Sequence, residues 1–133
     1  IGTLHPNIAP YGEVFTCADG GRIILAVGSD AQFRALCNTL GLAFVADMAS
    51  FATNVMRVRN RHELAQTLAS PIASLDRTEL LDRLVQAEVP AGAVNRIDEA
   101  LSSPAAKAMV NEAVIDGQPT RRIRGNAFRI EGY

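Results

Sequence analysis

The sequence predicts an α+β small domain: a β-hairpin with one or two further short strands, packed against four or five helices. Three observations predict it. Two β-prone runs, residues 13–18 and 22–27, flank Asp19-Gly20-Gly21, and Asp-Gly between such runs signals a hairpin. Leu80, Leu81, Leu84 and Val85 form an amphipathic stripe in a segment running over 76–89. Phe33, Leu36, Cys37 and Leu40, and again Leu64, Leu68 and Ile72, recur at helical spacing.

Taken in order, residues 1–12 hold Gly2, Pro6, Pro10 and Gly12 and read as an irregular incoming linker. Gly28 stops the second strand, and Ser29 or Asp30 can cap the helix that follows, since a short side-chain oxygen accepts a first-turn N–H. Gly41 closes that helix in the position favoured for a left-handed residue, with a short helical turn expected over 42–47. Thr53 or Asn54 caps a segment through Arg59, and Asn60 with Glu63 has capping-box spacing for the next helix. Asp76 and Glu79 mark the start of the most strongly patterned helix, which Pro90 ends. A turn and a brief extended run occupy 89–95, a short helix 98–101, and Pro104 suits the first turn of a helix over 105–110. Residues 112–116 are β-prone, 117–119 read as a turn, and 121–124 and 127–130 alternate weakly as strands or an outgoing tail.

Bulk properties narrow the function classes. At 133 residues the chain fits one domain, and 48% hydrophobic residues suffice for a modest single core. Thirteen basic and fourteen acidic residues give a net charge of -1, so no electrostatic footprint points to nucleic acid or an anionic membrane. The longest apolar run, 23–27, is far short of the roughly 20 residues of a membrane span, and no signal segment opens the chain. A cytoplasmic location is the expectation. Cys17 and Cys37 lack metal-site spacing and read as two unpaired buried thiols, with no metal expected. The start at Ile1, in mid-pattern, reads as a fragment of a longer protein.

Three runs carry a family resemblance. His5, Pro6, Asn7, Pro10, Tyr11, Phe15, Thr16, Asp19, Gly20 and Ala26-Val27-Gly28 match, with the spacing shifted after Tyr11, an H-P-x-I-x-P-Y-x-x-F-x-T-x-D-G pattern that feeds a strand ending Ala-Val-Gly. Phe51, Thr53, Asn54, Arg57, Val58, Asn60, Arg61, Glu63 and Leu64 match F-x-T-N-x-x-R-V-x-N-R-x-E-L, and residues 89–95 match V-P-x-G-x-V-N. Singly these are weak; in this order and spacing they resemble family III CoA-transferases, a group that also holds methylacyl-CoA racemases.

The resemblance implies that residues 1–133 are the small domain of such an enzyme, with linker 1–12 and tail 117–133, and that the large catalytic domain is absent from this chain. It implies transfer of CoA between carboxylic acids through an aspartyl intermediate in that other domain; the alternatives are a 2-methylacyl-CoA racemase, or a non-catalytic dimerisation and substrate-covering module when isolated. No catalytic residue is then expected here, and the fragment alone is expected to be inactive. CoA thioester enters as substrate, not as a bound cofactor, and the implied partners are the carboxylic acids, the protein's own large domain and a second subunit. His5, Asn7, Tyr11, Gly28 and Asp30 are the candidate substrate-binding residues. An imidazole suits proton transfer near neutrality, its unperturbed pKa being about 6.5, yet His5 has no partner in sequence and also reads as loop structure. Asp30 lies in 27–33, a stretch similar to a racemase Gly-Ala-Ile-Glu-Pro-Gln-Phe run, with Asp in place of Glu; it also reads as a helix cap. Arg121, Arg122 and Arg124 suit either CoA phosphates or an inter-domain face.

Overall fold

The structure, a computed structural model, describes residues 2–102, 104–115 and 118–123. They divide into two compact units, 1–94 and 95–133. In the first, β1 (Tyr11–Thr16) and β2 (Arg22–Ala26) pair antiparallel around the Asp-Gly turn, and β3 (Ala91–Val94) pairs antiparallel with the other edge of β2. β1 begins two residues earlier than the sequence pattern places it. The turn closes through Cys17 N–H donating to Gly21 O at 2.8 Å, with Gly20 at φ 76°, a conformation that costs glycine nothing sterically. Ile23 and Leu25 share one face of the central strand, as a period of two requires, and both are fully buried.

Four helices complete this unit: α1 (Asp30–Thr39), α2 (Asn54–Arg59), α3 (Arg61–Ile72) and α4 (Arg77–Gln86), with a 3-10 turn at Ala43–Asp47. α3 packs on β1, α4 on β2 and β3, and α1 on α4. Phe33, Leu36, Leu64, Leu68, Leu80 and Leu84 meet Ile23 and Leu25 in one core, each contributing on the order of 2 kcal/mol of burial. Cys17 and Cys37 are buried, unpaired thiols within it, as expected.

The caps show where local reading holds and where tertiary contacts override it. Ser29 Oγ accepts Gln32 N–H at 3.1 Å while Gln32 Oε1 accepts from Gly28 and Ser29 N–H at 2.9 and 3.2 Å, a full capping box. Thr53 Oγ1 accepts Met56 N–H at 3.3 Å. Asn60 does not cap α3, because its side-chain amide donates to Ser50 O at 3.0 Å. Nor does Asp76 cap α4: Asp19, in the hairpin turn, accepts Arg77 N–H at 3.3 Å through Oδ2 and Gly21 N–H at 2.9 Å through Oδ1.

α4 stops at Gln86 rather than running to residue 89. Glu88 takes φ 55°, its N–H donates to Val85 O at 3.0 Å, and Val89 N–H donates to Leu84 O at 2.8 Å, a Schellman ending that turns Val89 into the core. Val85 is 73% exposed, since Leu80 and Leu84, four apart, define the inward face and the next residue lies 100° away from it. Glu88→Gly should stabilise the unit by about 1 kcal/mol by removing the left-handed penalty on a residue with a Cβ; a rise in the urea midpoint checks this.

The second unit contains α5 (Ile97–Ser102), α6 (Pro104–Met109), and the antiparallel pair β4 (Val110–Ile115) and β5 (Gln118–Ile123), in register from Val110 opposite Ile123 to Ile115 opposite Gln118. Gln118 and Pro119, expected in a turn, already belong to β5; a strand of a two-stranded sheet has an unpaired side on which proline's missing N–H breaks no ladder. The expectations for Arg124 and 127–130 lie outside the described residues. Among the described residues no helix is long and apolar enough to cross a membrane.

Candidate functional site

A β-bulge sets the site. Tyr11 pairs with Ala26 but Val14 with Ile24, so three steps along β1 face two along β2. Gly12 supplies the extra residue at φ 84°, and Thr3 crosses over it, donating its hydroxyl to Gly12 O at 2.6 Å. The bulge changes the parity of the strand: Glu13 and Phe15 point inward, while Tyr11 is turned out and remains 38% exposed. There its ring meets His5 edge to face, with centroids 5.5 Å apart, and its carbonyl accepts His5 N–H at 2.9 Å. Asn7 N–H in turn donates to His5 Nδ1 at 3.2 Å.

The backbone of this loop is held by three side chains from α2 and α3. The Asn54 amide accepts Ala9 N–H at 3.1 Å and donates to Asn7 O at 2.8 Å, presenting to the loop the donor and acceptor of a missing strand. Arg57, the largest fully buried side chain among the described residues, donates through Nε to Ala9 O at 2.9 Å, through Nη1 to Phe51 O at 3.0 Å and through Nη2 to Asp30 at 2.6 Å, with its guanidinium 4.5 Å from the Phe33 ring centroid. Arg61 Nη2 donates to His5 O at 2.6 Å and closely to Ile8 O. Val27 N–H donates to Pro10 O at 3.1 Å, which ties the end of β2 to the same loop.

The fold links the five candidates to one loop. His5 touches both Asn7 and Tyr11; Gly28 follows directly on Val27; and Asp30 is joined to the loop through Arg57. Asp30 does not cap α1, which Ser29 does; its side chain is 67% exposed and its paired oxygen faces the buried guanidinium. Gly28 N–H is taken up by Gln32. Sequence reasoning missed Asn54, Arg57 and Arg61 as a group. Part of their signal was present: Asn54 and Arg57, three apart, share one face of α2, and Arg61 opens α3 just beyond the break at Asn60.

Beside the clamp an open groove of about 460 Å³ is lined by Leu4, Glu13, Val14, Phe15, Arg61, His62 and Ala65; none of the five candidates lines it. Arg61 belongs to both features, and Glu13 lies beside it. Arg61 Nε lies 3.0 Å from Glu13 Oε1, yet the two meet off the hydrogen-bonding axis, and neither carboxylate oxygen has an aligned partner among the described residues. Burial pushes the Glu13 carboxyl above its ordinary value of 4.5, an effect that the Arg61 charge and nearby backbone N–H groups only partly offset.

A carboxyl raised in this way binds its proton more tightly folded than unfolded. Its unfavourable contribution is complete above the folded-state value and is relieved as pH falls through that value towards the ordinary one. The melting temperature of the wild type relative to Glu13→Gln should therefore rise as pH is lowered from about 7.5 to about 5. A constant difference between the two melting curves contradicts the assignment.

Neither thiol is poised as a nucleophile: burial pushes Cys37 up to about 11 and raises Cys17 as well. Among the described residues no group of three or more His, Cys, Asp or Glu could hold a metal ion.

The family model "CoA-transferase family III" matches residues 1–131, and the chain belongs to that family. It is 43% identical over 108 residues to a succinate–glutarate CoA-transferase of Agrobacterium fabrum, covering 81% of this chain and 26% of that protein. It is 30% identical over 133 residues to an acetyl-CoA:oxalate CoA-transferase of Acetobacter aceti, covering 100% of this chain and 33% of that protein. A solved structure of a CAIB/BAIF family protein from Brucella suis superposes with a TM-score of 0.81 at 35% identity, over 98% of this chain and 33% of that one. The chain thus spans about a quarter to a third of the length of these relatives.

Proposed function

We propose that this chain is the small-domain part of an acyl-CoA transferase that moves CoA between carboxylic acids, and that His5, Asn7, Tyr11, Gly28 and Asp30 line the side of the substrate site that this part contributes. The 43% identity over 108 residues to a succinate–glutarate CoA-transferase carries the reading. In this proposal an aspartate outside the chain attacks the acyl-CoA carbonyl to give a mixed anhydride and free CoA thiolate. The thiolate then attacks the aspartyl carbonyl, releasing the first acid, and the second acid takes CoA by the reverse sequence. The residues of this chain bind and orient; the covalent steps belong elsewhere in a homodimeric protein.

The test is transfer by the whole protein from succinyl-CoA to glutarate and to other dicarboxylates, followed by chromatography of the CoA esters. Accumulation of the acceptor's CoA ester is the expected result. Absence of transfer to every acid tried, with α-proton exchange of a 2-methylacyl-CoA proceeding instead, overturns it in favour of the racemase.

A further inference from the structure

We propose that His5 is a preset hydrogen-bond donor, through Nε2–H, to an acyl oxygen of the substrate, a carboxylate or thioester carbonyl. The inference rests on the acyl-transfer reading and adds to it the chemistry of one contact. Asn7 N–H donates to His5 Nδ1 at 3.2 Å, a bond that forms only while Nδ1 carries no proton. In the neutral ring the proton is then on Nε2. The residue is fixed on its other sides: Arg61 holds its carbonyl at 2.6 Å, Tyr11 O accepts its N–H at 2.9 Å, and the Tyr11 ring lies 5.5 Å away at 68°. Nε2 has no protein partner among the described residues.

The clamp gives this geometry its meaning. The carbonyls of His5, Asn7, Ile8, Ala9 and Pro10 are all taken up by donors within the fold, so what the loop offers outward is side-chain chemistry. A neutral N–H of fixed direction recognises an oxygen acceptor without adding a charge that must be desolvated.

Two measurements test this, one of which needs no turnover. Nitrogen-15 NMR of the whole protein labelled at histidine, with the His5 signals identified by their loss in His5→Gln, should show an unprotonated Nδ1 and a protonated Nε2 at His5. Titration with glutarate should move the Nε2 resonance and leave Nδ1 in place. A proton on Nδ1, or an Nε2 resonance unmoved by glutarate, overturns the proposal. In the transfer assay His5→Gln, whose amide N–H stands near the Nε2 position, should keep KM within about threefold, whereas His5→Asn and His5→Phe should raise it about tenfold with little change in kcat. Equal KM values for the Gln and Asn variants, or a wild-type KM for Phe, overturn it while leaving acyl transfer standing. A glutarate-responsive Nε2 in a protein that transfers no CoA supports the donor and removes the reaction assigned above.

Discussion

Arg57→Met should cost about 3–5 kcal/mol of folding stability, the largest effect expected of any single side chain in this protein. The guanidinium is 1% exposed and serves Ala9 O, Phe51 O and Asp30 at once, so a methionine of similar length leaves two buried carbonyls without donors. Asp30 contributes the smaller share, because at 67% exposure it can turn to water when its partner is lost. Against a typical total of about 5–15 kcal/mol, such a loss leaves a substantial unfolded population at physiological temperature. Arg57→Lys retains the charge but not the planar fork, and is expected to recover only about half of the loss. Urea unfolding of the three proteins decides the matter; a cost below about 1 kcal/mol for Met shows that the carbonyls find other donors.

Gly12→Ala should cost about 2–4 kcal/mol, for a different reason. A Cβ at this position would lie 1.9 Å from Thr3 O and 2.7 Å from Thr3 C, and these are backbone atoms rather than the end of a flexible side chain. The φ of 84° adds its own penalty. The strap at Thr3 must therefore lift, breaking its bond to Gly12 O and loosening the start of the loop. Amide exchange at His5 should accelerate along with the fall in melting temperature. Gly28→Ala is the matched control: its Cβ would meet only Gln32 Oε1, at 3.9 Å, so a change within about 0.5 kcal/mol is expected.

The hairpin, the Ser29 and Thr53 caps, the left-handed Gly41 and the apolar faces of α1 and α3 were legible because each is decided within a few residues. The failures share a cause as well. Asn60 and Asp76 have sound capping chemistry, but Ser50 O claims the Asn60 amide, and Asp19, 58 residues from Arg77, does the work expected of Asp76. The early end of α4 follows from Val89 finding the core, which a propensity for continuing the helix does not register. The five candidate residues were drawn from a resemblance rather than from any local pattern. The side chains that hold them were hidden because buried arginine is rare, and a polar stripe on a short helix ordinarily faces water.

The clamp spans long stretches of chain, with Asn54 reaching Ala9 across 45 residues and Arg61 reaching His5 across 56. The entropy lost in ordering the loop is offset only by contacts made with α2 and α3, so the loop is expected to order late in folding and to open early. Partial unfolding is then expected to release the loop while the core of Leu25, Leu64 and Leu80 survives. Native-state hydrogen exchange should find the Ala9 amide opening at a lower free energy than that of Leu25, so that a ligand held by the loop would read out as added protection at Ala9.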